Sequence, residues 1–306
     1  GSFEYLSRNR RQEMYDIIDA HVHTYPTSAI GLQATGGMNM SGCTGTVQEL
    51  LALMSVGGID KAAMMNMTPV ADMREAALAA GKGPPDDIAR QMIERMKRRN
   101  DWTCQTAREQ PSLVPFISLD PSMGPEDAVA EVHRCRQQGA VGIKLHPSSQ
   151  RFNPDDPNLW PVYAEAESLE MPVLSHGGFF PADPEASEFS RPRAFARILE
   201  AFPKLRFVLA HMGQGYIDES LAMAGRFANL HFDSSTVITG TVYPPSISDE
   251  EAVALVRRFG AERILFASDW PWFHPLRDLE RIETLALSDS ERRLILGENA
   301  RRVMGI

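Results

Sequence analysis

Asp19-Ala20-His21-Val22-His23 sets two imidazoles and a carboxylate at two-residue spacing, at the end of the apolar run Tyr15-Asp16-Ile17-Ile18. Side chains alternate faces along a strand, so His21 and His23 point the same way, with Asp19 one step below them. Imidazole is the commonest metal-binding side chain, and two on one face can grip one cation. A surface strand with two exposed histidines has the same sequence, so the motif alone leaves both readings open.

The rest of the chain supplies the context. Short β-branched and aliphatic runs alternate with longer stretches of helical periodicity, the pattern of repeated βα units. Eight strands are predicted: Asp16 to His21, Lys61 to Asn66, Leu113 to Leu119, Val141 to His146, Pro172 to His176, Arg206 to His211, Asn229 to Asp233 and Ile264 to Asp269. Helical patterns fall between them, at Thr46 to Val56, Asp86 to Arg108, Pro125 to Gln138, Leu159 to Leu169, Arg191 to Phe202, Gly215 to Phe227 and Asp249 to Phe259, with two or three more after Pro275. Eight such units without a composition shift predict an α/β fold of the (β/α)8 TIM-barrel class, a single domain over residues 1–306.

In that fold the chemistry sits at the carboxyl ends of the strands. Of the eight histidines, His21, His23, His146, His176 and His211 close predicted strands, and Asp269 closes the last one. His133 falls in a predicted helix, His231 inside a strand and His274 in a loop. Titratable residues gathered at strand ends favour the metal reading over the surface one.

The ordered motifs DAHVH, GIKLHP, SHGG, AHMG and ASDWP, with a closing GENARRVMGI, resemble the amidohydrolase superfamily of metal-dependent barrels. Within it they are similar to the branch of aminocarboxymuconate semialdehyde decarboxylase-like proteins. The resemblance implies that His21 and His23 bind one metal and that Asp269 is its ligand and proton carrier. It implies a second metal on His176 and His211 in binuclear members, bridged by a carboxylated Lys144. In mononuclear members His176 joins the first metal instead and His211 is left as an acid/base. A plain lysine ammonium has three donors and no lone pair, so Lys144 binds metal only if it is modified. One or two divalent ions are expected, zinc first, with manganese or iron as alternatives. Metal coordination lowers the pKa of bound water toward neutrality, and a carboxylate such as Asp269 can carry the proton.

Residues just past the strand ends are expected to touch substrate. His146 shares the face of Lys144; Met67 follows the second strand, Phe179 the fifth, and Trp270 and Trp272 the eighth. Arg151 is the cation expected to meet a substrate carboxylate, with Arg74 second. Such a lining suits a bulky, largely apolar small molecule. The glycine-rich segment from Gly31 to Thr46 reads as a lid.

With 306 residues, 43% of them hydrophobic, and a net charge of −9, the chain can bury a large core and is ill suited to nucleic acid or an anionic membrane. A small-molecule substrate is the expected partner, with assembly into a homo-oligomer left open. Cys43, Cys104 and Cys135 form neither a disulfide framework nor a metal clip, which points to the cytoplasm. Gly1-Ser2 reads as an expression scar. The first expectation is therefore a hydrolase using metal-bound hydroxide on an amide, ester or lactone. The alternative is a non-oxidative decarboxylase of an aromatic or unsaturated acid, and a third reading is an iron-dependent oxygenase. A barrel kept only as a binding protein is disfavoured, since no ligand position is missing.

Overall fold

The computed structural model describes residues 15–239 and 247–306; Gly1-Ser2 lies outside them. All eight expected strands form: β1 (Ile18–Val22), β2 (Lys61–Met65), β3 (Leu113–Ser118), β4 (Gly142–Leu145), β5 (Val173–Ser175), β6 (Phe207–Leu209), β7 (Leu230–Asp233) and β8 (Ile264–Leu265). They pair in chain order in one sheet, with β1–β2, β3–β4, β4–β5, β5–β6 and β7–β8 in parallel register, which is the (β/α)8 topology. Every residue of β1, β3, β4 and β5 is buried, as expected of parallel strands covered on both faces.

Tight contacts group the chain into two units. One runs through Met64, takes in Ser112–Val114 and resumes from His231 to Ile306; the other comprises Met65–Pro111 and Pro115–Leu230. In the first unit β1 meets the chain around β8: Ala20 N–H donates to Phe266 O at 2.8 Å, Asp269 N–H to His21 O at 2.9 Å, and His23 N–H to Trp270 O at 2.7 Å. These bonds join the last strand region to the first. The closing motif braces the same place. Asn299 Nδ2 donates to the carbonyls of Ala261 and Ile264, both at 2.7 Å. A Cβ at Gly297 would stand 2.0 Å from Asp16 O, so only glycine allows this approach.

Helix boundaries follow local chemistry. The helix Asp249–Phe259 begins with a Ser248/Glu251 capping box, carries three acids in its first turn and has Arg257 and Arg258 in its last. The long helix Pro85–Glu109 starts with proline at its first position and Asp86 and Asp87 behind it. The pattern over residues 191–202 departs from expectation: a 3-10 stretch, Pro192–Phe195, precedes the α-helix Ala196–Ala201.

The expected lid differs more. Its first part lies in the helix Ser28–Thr35, capped by Thr27 and ended by Gly36 at φ 61°. Beyond it the backbone is latched down: Met40 N–H donates to Trp272 O at 2.6 Å and Ser41 Oγ to Pro271 O at 2.5 Å. The segment is thus a strap fastened to the loop after β8. Among the described residues no helix is long and apolar enough to cross a membrane.

Candidate metal centre

In the first unit β1 delivers His21 and His23 on one face, and the loop after β8 delivers Asp269. His21 Nε2 and His23 Nε2 are 3.1 Å apart, and Asp269 Oδ1 lies 3.3 and 3.2 Å from them. Ligands about 2.1 Å from one ion stand about 3.0 Å apart when at right angles, so these spacings match three adjacent positions around a single cation. Among the described residues this is the one group of three with such an arrangement. Both histidines are buried, and Asp269 stays 15% exposed, which leaves a side for water or substrate.

The tautomer of His21 agrees with that role. Its Nδ1 lies 2.8 Å from Asp233 Oδ2 on β7, and both residues are wholly buried. A carboxylate only accepts, so Nδ1 carries the proton and Nε2 keeps its lone pair toward His23 and Asp269. Asp233 is itself held, taking Ser235 Oγ–H at 2.5 Å and Ser235 N–H at 3.1 Å on Oδ1. Two imidazole nitrogens and one carboxylate oxygen therefore fit a divalent ion of the zinc, manganese or iron type, with positions left over.

Asp19 plays a different part from its neighbours. It accepts from His21 N–H at 3.2 Å and from Ser268 N–H and Oγ–H at 3.0 and 2.5 Å. Burial pushes its carboxyl up to about 7, against the Ser268 hydrogen bonds that hold it down. Asp19 thus ties β1 to the residue before Asp269. Ser268 escaped the sequence reading; its only signal was its place beside Asp269. The backbone of Asp269 is left-handed at φ 59°, a conformation Asp tolerates better than most residues and one that clusters at functional sites. Trp272 sets its ring edge-on to His23, centroids 5.2 Å apart. Trp270 is wholly buried, a packing residue of this loop.

The second unit holds the remaining expected residues. Lys144 is wholly buried on β4. His146 and His176 leave the ends of β4 and β5 and stack face to face, 4.1 Å apart and 3° from parallel; His211 stands 5.0 Å from His176 at 63°. His211 lies in a 3-10 turn and is left-handed at φ 60°. Phe179 is anchored by its N–H to Gln214 O at 2.7 Å, and Met67 is half-buried after β2. Arg151 meets acids of the chain itself: Asp72 at 2.8 Å and Glu75 at 2.6 Å, on an exposed side chain. Sequence reading expected a substrate carboxylate there; in the structure the helix Val70–Ala79 places these two acids of the chain beside it.

Fold and donor set together define a metal-binding (β/α)8 enzyme. The sequence model described as "Amidohydrolase" matches residues 18–306, and the chain belongs to that family, in the amidohydrolase superfamily. It is 23% identical over 254 residues to a gamma-resorcylate decarboxylase of Polaromonas sp. (strain JS666 / ATCC BAA-500), covering 69% of this chain and 76% of that one. It is 24% identical over 237 residues to the 2-amino-3-carboxymuconate-6-semialdehyde decarboxylase of Dictyostelium discoideum, covering 68% of this chain and 65% of that one. Among solved structures it resembles a dihydroxybenzoic acid decarboxylase from Polaromonas sp. JS666 with bound manganese and the inhibitor 2-nitroresorcinol. That match has a TM-score of 0.68 at 17% identity and covers 95% of this chain and 97% of that one.

Proposed function

We propose that this chain is a divalent-metal-dependent, non-oxidative decarboxylase of an aromatic carboxylic acid. The observation that carries the reading is the convergence of His21 Nε2, His23 Nε2 and Asp269 Oδ1, in a chain whose relatives are decarboxylases. The relatives favour this alternative over a hydrolase, which has the superfamily alone behind it. Manganese is the proposed ion, ahead of zinc, because the similar decarboxylase carries it.

In the reaction the bond from ring carbon to carboxylate breaks, its electron pair stays on the ring carbon, and that carbon takes up one proton as carbon dioxide leaves. No oxidant is consumed. A bound divalent ion supplies a fixed positive charge for the oxygens of the substrate. His21 and His23 hold that ion, and Asp233 fixes the lone pair of His21 toward it. A positioned acid must hand a proton to carbon, a contribution of about 10²–10⁴-fold. Asp269 and His211 are the proposed carriers, as the resemblance implies, and the roles it implies for His176 belong to the same proposal. A carboxylated Lys144 and a second ion are not needed.

The test supplies manganese-loaded protein with ortho-hydroxybenzoates, unsaturated acids, and a panel of esters, amides and lactones. Carbon dioxide release without oxygen uptake is expected. Hydrolysis of a lactone or ester with no carbon dioxide from any acid returns the first place to the hydrolase, and iron-dependent oxygen uptake to the oxygenase.

A further inference from the structure

We propose that His146 is a positioning residue for His176, a flat shelf that fixes the plane of the His176 ring. This rests on the reading that His176 works in the reaction. His146 is the N-cap of the short helix Pro147–Gln150, and its Nδ1 accepts Ser149 N–H at 3.0 Å. Nδ1 therefore holds a lone pair, and the neutral ring carries its proton on Nε2. Its backbone is pinned as well. His146 N–H donates to Gln150 Oε1 at 2.9 Å, and Gln150 Nε2 donates to Leu119 O at 2.7 Å and Asp120 Oδ2 at 3.2 Å. The end of β3 thus fixes the start of the helix, and the helix fixes the ring.

Rotation about the outer torsion of a histidine is soft, with a broad distribution. A parallel ring at 4.1 Å removes that freedom, because turning His176 drives its edge into the shelf. Phe180 closes the corner, edge-on to His146 at 4.9 Å and to His176 at 5.6 Å, and is itself tethered by its N–H to Ser187 Oγ at 2.8 Å. The cap and the shelf are separate services of one side chain, and two substitutions part them. His146→Asn keeps an acceptor for Ser149 N–H and removes the ring; His146→Phe keeps a ring and removes the acceptor.

The experiment measures kcat and KM of both variants with an aromatic acid, and the rate at which diethyl pyrocarbonate modifies His176, followed by peptide mass mapping. His146→Asn is expected to stay folded with an unfolding temperature lowered by a few degrees, to lose about 10–100-fold in kcat, the range for loss of a group that orients a working histidine, and to hold its KM. His146→Phe is expected to return kcat to within about threefold of wild type while its unfolding temperature falls by a few degrees. His176 should react faster in His146→Asn than in the other two proteins. Wild-type kcat in His146→Asn, or a raised KM at constant kcat in both variants, overturns the proposal. If the wild type releases no carbon dioxide, the decarboxylase reading fails and the modification rates decide alone: equal rates in all three proteins overturn the shelf, and the order above upholds it.

Discussion

Asp233 Oδ2 sits 2.8 Å from Nδ1 of His21, a buried carboxylate gripping the far side of a candidate metal ligand. The pair decides which nitrogen of His21 is available. Asp233→Asn puts an uncharged amide there, which can also turn its N–H₂ toward Nδ1 and move the proton to Nε2. We expect manganese affinity to fall by about 10–100-fold in a protein that keeps wild-type circular dichroism. Titration of free manganese by its electron paramagnetic resonance signal reads this; unchanged affinity removes Asp233 from the site.

His21→Ala and Asp269→Ala each delete one of three converging donors. Metal and activity should disappear together from a folded protein, by elemental analysis and turnover on the same sample. Chelator treatment of the wild type should do the same, and manganese should restore it. A variant that keeps its metal and turnover overturns the assignment of that ligand.

His211→Asn leaves the His21, His23 and Asp269 donors untouched. If His211 carries the proton, carbon dioxide release should drop by about 10²–10⁴-fold while bound manganese is retained. Loss of the metal with the activity assigns His211 to binding instead.

Asn299 closes two buried carbonyls with one amide, at Ala261 and Ile264. Asn299→Ala removes both bonds; Ala261 O keeps the backbone N–H of Ile264, and each lost bond is worth about 0.5–1.5 kcal/mol. Chemical denaturation should show a loss of about 1–3 kcal/mol; a loss below about 0.5 kcal/mol would mean that neither bond is formed in solution.

His274 gives a pH dependence with a definite sign. Burial, and then the charge of Arg277, hold its imidazole below the usual range, and its Nδ1 accepts Leu276 N–H at 3.2 Å as a helix cap. The unfolded chain takes its proton near pH 6.5 and the folded chain only lower, so the unfolded state binds more protons between the two values. This stability is complete above about pH 6.5 and is lost as pH falls through the folded value. Unfolding temperatures at pH 7.5 and 5.5 should therefore differ more in the wild type than in His274→Asn, which keeps a cap and does not titrate. Equal differences exclude the effect.

Order along the chain was enough to find the strands and the family. The eight apolar runs, the histidines that close four of them and Asp269 are local signals, since strand alternation and the burial of parallel strands act over a few residues. His21, His23 and Asp269 could be paired from motifs alone. What needed tertiary structure was every partner far away in sequence. Asp233 is 212 residues from His21, and Ser268 is 249 from Asp19. The sequence suggested Arg151 for a substrate carboxylate, yet the fold brings Asp72 and Glu75, more than 70 positions earlier, against it. The same holds for the His146 shelf and the latched strap. Hydrogen bonds and ring contacts depend on ångström distances between elements, and no spacing along a single strand or helix encodes those.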